Sequence, residues 1–392
     1  MDNLERVPVR LKRAHGEAAH RGYDVLIGTG ALVHLGETLC RHVSAHLPAQ
    51  RALIISNARA FNLYGTQAVR SLRASGFRVA HFLMGDGERY KSLRTAEHAL
   101  EFLSAKEFER SDCIVALGGG VVGDLAGFVA ATFMRGVRFI QVPTTLVAQI
   151  DASIGGKTAV NTRTGKNLIG AFHHPRAVLI DTETLQTLPH REMTAGWCEA
   201  IKHGAIGSCR LFGQTEKFIN ENGVVDDKRS LQLSQVIKAH CAFKARIVAG
   251  DERESLARTD KHSRQILNFG HTVAHALEAV TDFRRFRHGE AVGLGMLVAA
   301  EISVRTGLLN VLELERLRAA IRAAGRLPRA DNLDVREVIG AIGKDKKSRG
   351  GRVRWVLLER IGRARVIHDE SITPELVRSS LRAVLTRNSG DF

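Results

Sequence analysis

The stretch CIVALGGGVVGD, Cys113 to Asp124, decides the fold class. Its first half is an unbroken apolar run, as expected of a strand covered on both faces, and its second half is glycine-rich. A helix-like segment, Asp124–Thr132, follows. Glycines directly behind a strand let the backbone approach a pyrophosphate, and the next helix offers unpaired N–H groups. The spacing is not GxGxxG, so the run by itself also fits a tight turn packed on that helix. The same pattern repeats on either side. YDVLIG (Tyr23–Gly28), RALIIS (Arg51–Ser56), RVAHFLM (Arg78–Met84), VRFIQVP (Val137–Pro143) and AVLID (Ala177–Asp181) read as strands, and Ser92–Glu107 as a helix. Apolar strands alternating with helices imply an α/β domain with a largely parallel sheet.

After TLQTLPHREM (Thr184–Met193) the period becomes helical, over Ala195–Ile206, Leu231–Val248, Ile266–Thr281, Gly289–Thr306 and Leu312–Ala324. RVRWVLLERIGRARVI (Arg352–Ile367) reads as two short strands around Ile361-Gly362. The expected organisation is a Rossmann-like nucleotide-binding α/β domain over 1–188 and a mainly helical domain over 189–392, with a cleft between them. No internal repeat or low-complexity segment interrupts it.

Composition narrows the function classes. The chain has 392 residues, enough for two domains, with 44% hydrophobic and 25% charged residues, an ordinary globular mix. Seven prolines against 37 glycines exclude Pro-rich and collagen-like architectures, and 5% aromatics argue against a surface for stacking bases. The longest apolar stretch, Ala291 to Val304, contains Glu301 and falls short of the ~20 residues of a bilayer span. A formal charge of +16 draws in anions such as nucleic acid, an anionic membrane or phosphorylated small molecules, although an Arg-rich proteome gives the same sign. Five scattered cysteines without a CxxC fit neither a disulfide framework nor a thiolate zinc site, and suit a reducing cytoplasm. Met1 to Gly22 lacks the apolar core of a signal peptide.

Two further constellations carry chemistry. DASIGGKTAVNTRTGKNLIGAF, Asp151 to Phe172, sets Lys157 behind Gly155-Gly156 and Lys166-Asn167 behind Gly165. Lysines and an amide on glycine-rich turns suit a phosphate or another oxyanion; the alternative is solvated loop lysines. The second set is dispersed. WCEAIKHG places Glu199 and Lys202 on one helical face, LNFGHTVAHALE places His271 and His275 four apart with Asn268 one turn earlier, and RHGEAV supplies His288 where a helix begins. HTVAH lacks the Glu of HExxH, which excludes that metalloprotease motif. One carboxylate and two imidazoles with a position left open would suit a catalytic zinc, but spacing does not establish that they converge.

Taken together, DGERYK (Asp86–Lys91), GGGVVGDLAGFVAATFMRGV (Gly118–Val137), VPTTLVAQIDASIGGKTAVN, GKNLIGAFHHP, GWCEAIKHG, KARIVAGDERE, LNFGHTVAHALE, HGEAVGLGM and KDKK resemble the 3-dehydroquinate synthase family, of the sugar phosphate cyclase superfamily. The resemblance runs in order from about Gly22 to Val366. It implies an NAD-binding domain, a helical domain and one divalent metal, zinc or alternatively cobalt. The reaction implied converts 3-deoxy-D-arabino-heptulosonate 7-phosphate to 3-dehydroquinate in the shikimate pathway: transient oxidation, phosphate elimination, reduction, ring opening and aldol closure. By matching positions, Glu199, His271 and His288 would hold the metal. Asp86, Glu88, Lys91, Gly119, Gly120, Val121, Val122, Gly123, Asp124, Thr144, Thr145, Lys157, Lys166, Thr184 and Thr187 would line the NAD site. Asp151, Lys157, Asn167, Lys202, Lys244, Glu254, Arg264, Asn268, His275 and Lys346 would surround the substrate. Arg135, in FMRG, is similar to a residue that reaches the phosphate from a neighbouring subunit, which implies a homodimer.

The sequence also departs from the family pattern. Glu254 and Arg264 are separated by more residues than usual, so either that loop is lengthened or Arg264 is not the equivalent arginine. Ala274 replaces a usual glycine, and Trp197-Cys198 precede Glu199 where smaller aliphatics are common. NARAF (Asn57–Phe61) lacks an acidic partner for the adenosine ribose, a task that would pass to Glu88. Rival readings are a 2-deoxy-scyllo-inosose or 2-epi-5-epi-valiolone synthase and a polyol dehydrogenase, followed by a basic nucleic-acid-binding protein built on KDKKSRGGRVR (Lys344–Arg354). Lys244, Arg264, Asn268, His275 and the KDKK lysine favour the dehydroquinate pattern over the first. A dehydrogenase has no need of Lys157, Lys166, Asn167 and Lys346, and no nucleic-acid motif is present.

Overall fold

Seven strands form one sheet in the computed structural model, which describes residues 4–11, 22–43, 51–163, 165–221, 227–255, 257–260, 263–348, 353–367 and 372–387. The sheet strands are β1 (Glu5–Arg10), β2 (Gly22–Gly28), β3 (Arg51–Asn57), β4 (Arg78–Met84), β5 (Cys113–Gly118), β6 (Arg138–Pro143) and β9 (Ala177–Asp181), in the order β1-β2-β9-β6-β5-β3-β4. Every pairing is parallel except β1 with β2. A separate antiparallel hairpin joins β7 (Lys157–Val160) to β8 (Ile169–Phe172).

The strands read as apolar runs because both faces are covered. Leu53 and Ile55 of β3 and Ile114 and Ala116 of β5 face α3 (Leu93–Ala105) and α4 (Gly120–Thr132). Their neighbours Ala52, Ile54, Val115 and Leu117 face α1 (Leu35–His42) and α2 (Thr66–Ala74). This period of two, apolar on both sides, is the mark of an internal parallel strand. β3 connects outward to β4 while β5 connects the other way to β6, so the order reverses between them. The carboxyl ends of β3 and β5 therefore flank a topological switch point, where open α/β sheets bind ligands. β1 was not expected: it buries only Val7 and Val9, and its Pro8 is tolerated because the strand lies at the edge.

The chain then turns helical through α5 (His190–Gly207), α6 (Cys209–Asn220), α7 (Asp227–Gly250), α8 (His271–Val280), α9 (His288–Arg305), α10 (Val311–Ala324), α11 (Val335–Ser348) and α12 (Pro374–Arg387), with an antiparallel hairpin of β10 (Trp355–Arg360) and β11 (Arg363–Ile367). It divides into two compact units, Met1–Leu188 with Val225–Ala249, and Pro189–Val224 with Gly250–Phe392. A single boundary at 188 thus misassigns most of α7, which joins the first unit: its Cys241 Sγ donates to Gln149 O (3.4 Å) and its Lys244 pairs with Asp151.

Two expected elements change. The helix expected over Ile266–Thr281 is broken: Arg264–Asn268 is a 3-10 turn, Gly270 adopts φ +81°, and α8 starts at His271. Asn268 is accordingly not one turn up the same helix. The apolar run of β5 ends at Gly118, and α4 takes in Gly120 onward, ahead of the expected Asp124 start. Among the described residues no helix is long and apolar enough to cross a membrane.

Candidate active site

In the first unit, the glycine turn behind β5 lies at the switch point. Thr144 N–H donates to Gly118 O (3.0 Å), and Gly123 N–H to Gly119 O (3.0 Å). A Cβ on Gly119 would stand 3.1 Å from Thr145 Cγ2, and one on Gly123 2.6 Å from Gln141 Oε1. These glycines hence have a close-packing role. Val122 and Gly123 are buried, Val122 in the core under Gly118, and Val121 packs against the same core, so valine side chains here serve the fold.

Around this turn, polar side chains interlock. Lys91 is buried, its Nζ donating to Asp124 Oδ2 (2.5 Å) and Asn167 Oδ1 (2.5 Å). Burial works against its charge, but Asp124 and Glu88 more than offset this and hold its pKa above the usual lysine value. Asn161 Nδ2 donates to Glu88 Oε1 (2.8 Å), and Asn57 Nδ2 to Asp86 Oδ1 (2.7 Å). Asn57, in the segment that had lacked an acidic partner, therefore holds one from the next strand's end. Thr184 Oγ1 accepts from Gln149 Nε2 (3.0 Å), and Tyr64 bonds both Thr184 O (2.9 Å) and the Thr187 hydroxyl. Asn57, Tyr64, Gln149 and Asn161 were missed, because partners 29 to 123 residues away in the sequence leave no local pattern.

The lysines and the amide expected to meet an oxyanion lie on the small hairpin. Lys157 is the exposed first residue of β7, not a turn residue, behind Gly155 and Gly156, both at positive φ. Lys166 and Asn167 lie on the turn between β7 and β8, Asn167 at φ +58°. Asp151 pairs with the buried Lys244. Arg135 is exposed, in a tight turn where Met134, Arg135 and Gly136 all have positive φ.

The second unit gathers the dispersed set. Glu199, His271 and His288 bring one ligand atom each within 4.8 Å of one another. Glycines make this convergence: a Cβ on Gly289 would be driven into Ala195 O of α5, one turn before Glu199, and one on Gly295 into Gly270 O, at the start of α8. The first turn of α9 is also locked, since Glu290 accepts from Arg287 N (2.7 Å) and from Arg191 Nε (2.8 Å) and Nη2 (2.6 Å) of α5. His271 Nδ1 lies 3.3 Å from Phe269 O, and His288 Nδ1 3.3 Å from Glu278 Oε2. Burial, then the charges of Lys202, His288 and His275, pull the His271 pKa well below its usual value. At His288 burial acts the same way, but the hydrogen bond and charge of Glu278 outweigh it and raise the pKa. Lys202 Nζ is 2.5 Å from Glu199 Oε2, both side chains 1% exposed, but the contact is not directed as a hydrogen bond, and among the described residues neither carboxylate oxygen has a directed donor. A buried carboxylate with undirected oxygens beside two imidazoles is a donor set that fits zinc or cobalt. His275 neighbours both, 5.6 Å from the His271 ring and 6.0 Å from that of His288.

The long Glu254–Arg264 interval is also accommodated. Buried Asp251 accepts from Ser255 N (2.8 Å) and Arg264 N (2.9 Å), clasping both ends of the loop. Gln265 Nε2 donates to Ser255 O (3.0 Å) and Arg258 O (2.6 Å), and Asn268 Nδ2 to Glu254 Oε1 (3.2 Å). Asn268 thus holds Glu254, while Arg264 is held through Asp251 and through Glu252 O, to which its Nη1 donates (2.9 Å). Trp197 packs against Phe218 with the rings tilted (5.4 Å between centroids) and Cys198 packs at Gly293, which gives both departures before Glu199 a packing role. Lys346 falls near the end of α11; its side chain lies outside the described residues.

Comparison with known proteins agrees with this geometry. Residues 81–195 match the 3-dehydroquinate synthase N-terminal model and 196–348 the 3-dehydroquinate synthase C-terminal model. The chain is 43% identical over 361 residues to 3-dehydroquinate synthase of Microcystis aeruginosa, covering 92% of this chain and 95% of that protein. It is 46% identical over 347 residues to that of Pelotomaculum thermopropionicum, covering 88% and 90%. Among solved structures, a 2-deoxy-scyllo-inosose synthase complexed with carbaglucose-6-phosphate, NAD+ and Co2+ superposes with a TM-score of 0.77 at 26% identity, covering 93% of this chain and 98% of that one. Two family models that together span residues 81–348, and relatives above 40% identical over most of the chain, place it: the chain belongs to the 3-dehydroquinate synthase family.

Proposed function

We propose that the chain is a lyase converting 3-deoxy-D-arabino-heptulosonate 7-phosphate to 3-dehydroquinate and phosphate, with Glu199, His271 and His288 holding one divalent metal. The observation that carries the reading is the approach of those three side chains in the second unit, with buried Lys202 beside them. The related inosose synthase, bound to NAD+, Co2+ and a phosphorylated carbocycle, supports the cofactors. When bound, the metal polarises substrate oxygens and NAD carries a hydride away and back, so that no net redox change results.

The chain's own residues take the remaining tasks. Asp86, Glu88 and Lys91, the turn Gly119–Asp124, and Thr144, Thr145, Lys166, Thr184 and Thr187 bind and orient the dinucleotide. Lys157 and Asn167 offer a charge and donors to the leaving phosphate. Asp151 and Lys244 present an acceptor and a donor side by side. Lys202, Glu254, Arg264, Asn268, His275 and Lys346 hold the substrate's hydroxyls and carboxylate. Arg135, exposed beside Met134, serves a neighbouring subunit of a homodimer, and the enzyme works in the cytoplasm.

The test is incubation with NAD, zinc or cobalt, and the heptulosonate phosphate, with products identified by mass and NMR. One phosphate per dehydroquinate is expected, at many equivalents per NAD, and the reduced-nicotinamide absorbance should not exceed the enzyme concentration. Chelation should stop turnover. Stoichiometric NADH would make the chain a polyol dehydrogenase, and a different carbocycle another cyclase.

A further inference from the structure

We propose that Glu278 is a positioning residue that fixes the imidazole of His288 so that Nε2, and not Nδ1, is presented to the metal. This rests on the metal-ligand reading above. Glu278 lies in the last turn of α8, where a negative charge opposes the helix dipole, and it is buried, 3% exposed. A buried carboxylate in that position is costly for the helix and needs a compensating partner. His288 Nδ1 is 3.3 Å from its Oε2, while Nε2 on the other side of the ring is 3.7 Å from Glu199 Oε1. An ionised carboxylate only accepts, so the hydrogen on this bond belongs to Nδ1, and the lone pair is left on Nε2. His271 is fixed in the same sense by a carbonyl, Phe269 O, which also only accepts. Glu278, His275 and His288 also lie close enough to hold an ion themselves. That arrangement would spend Nδ1 on the second ion and remove the bond that orients the ring; the proposal therefore assigns one metal per chain, with Glu278 outside its ligand set.

The experiment uses the full chain with Co2+ as probe, comparing wild type, Glu278→Gln, Glu278→Ala and His271→Ala. Metal affinity is read by competition with a chelator, the ligand field by the visible cobalt spectrum, and folding by circular dichroism. Folded Glu278→Gln should bind one Co2+ about 10- to 100-fold more weakly, with a shifted visible band, as expected when an outer partner of a ligating histidine is lost. The near-isosteric Gln variant decides the question even if Glu278→Ala does not fold. Wild-type affinity and an unchanged spectrum in Glu278→Gln, while His271→Ala loses the metal, would overturn the role of Glu278 alone. Two Co2+ per wild-type chain, one lost in Glu278→Gln, would make Glu278 a ligand and also overturn it. Undiminished binding in His271→Ala would instead overturn the ligand reading on which the proposal stands.

Discussion

Lys157 stands exposed at the start of β7, whereas Lys91 is buried against Asp124, and the two should respond differently to truncation. Lys157→Ala should leave stability unchanged and still bind NAD but lower turnover ten- to hundredfold, the equivalent of ~1.5–3 kcal/mol for a charge-assisted contact to an oxyanion; steady-state kinetics with dinucleotide titration would check it. Lys91→Ala should destabilise the fold by about 3 kcal/mol in denaturant melts, because it strands a carboxylate. With its folded pKa raised, the Lys91 pair contributes fully at neutral pH and is lost only as pH rises through the lysine range. The cysteines give a simpler readout. Burial pushes the Cys113 thiol up to about 12 and raises Cys198 and Cys241 as well, while Cys40 and Cys209 are exposed. A thiol reagent at pH 8 should label the two exposed sulfurs in native protein and all five after denaturation. At this scale the motifs named Glu199, His271 and His288, but not Glu278 or Asn57. A hydrogen-bond partner is chosen by the tertiary path of the chain, which spacing does not encode.

Glycines set the distances between elements. In α9, Gly289 and Gly295 let the helix meet α5 and the start of α8 with no Cβ between them. Gly289→Ala should separate α9 from α5 and move His288 away from Glu199. A loss of about 1–3 kcal/mol in stability is expected from the overpacking, together with weaker cobalt binding. Gly340, exposed in α11 with nothing near its Cβ position, provides the contrast: Gly340→Ala should stabilise by ~0.5–1 kcal/mol and leave metal binding alone. Thermal melts and metal titration of both variants check the pair. The parallel sheet was legible because internal strands such as Cys113–Gly118 are apolar on both faces. The hairpin of β7 and β8 was not, because four-residue strands set beside Gly155-Gly156 and Gly165 look like part of the turn sequence. Nor was the break before α8, since the apolar periodicity runs on through Phe269, whose ψ of 123° ends the 3-10 segment, and Gly270, whose positive φ starts the next helix.

For the whole molecule, the pairing of chains is tested by complementation. Mixed Arg135→Ala and His271→Ala chains, each inactive alone, should regain activity if a subunit borrows its neighbour's arginine; none after proven exchange would refute the shared site. The order of the chain has a consequence of another kind. The first unit is built from two separated pieces, Met1–Leu188 and Val225–Ala249, with the opening helices of the second unit written between them. A ribosome reading from the N-terminus therefore releases a sheet that still lacks α7, with Asp151 and the Gln149 carbonyl waiting for Lys244 and Cys241. Domains that emerge first usually close first. Here α5 and α6 are already outside before α7 can be added, so the first unit is completed only after part of the second has been made. A gene cut after codon 188 would encode all seven strands of the sheet but not α7, and so a first unit lacking Cys241 and Lys244 beside Gln149 and Asp151.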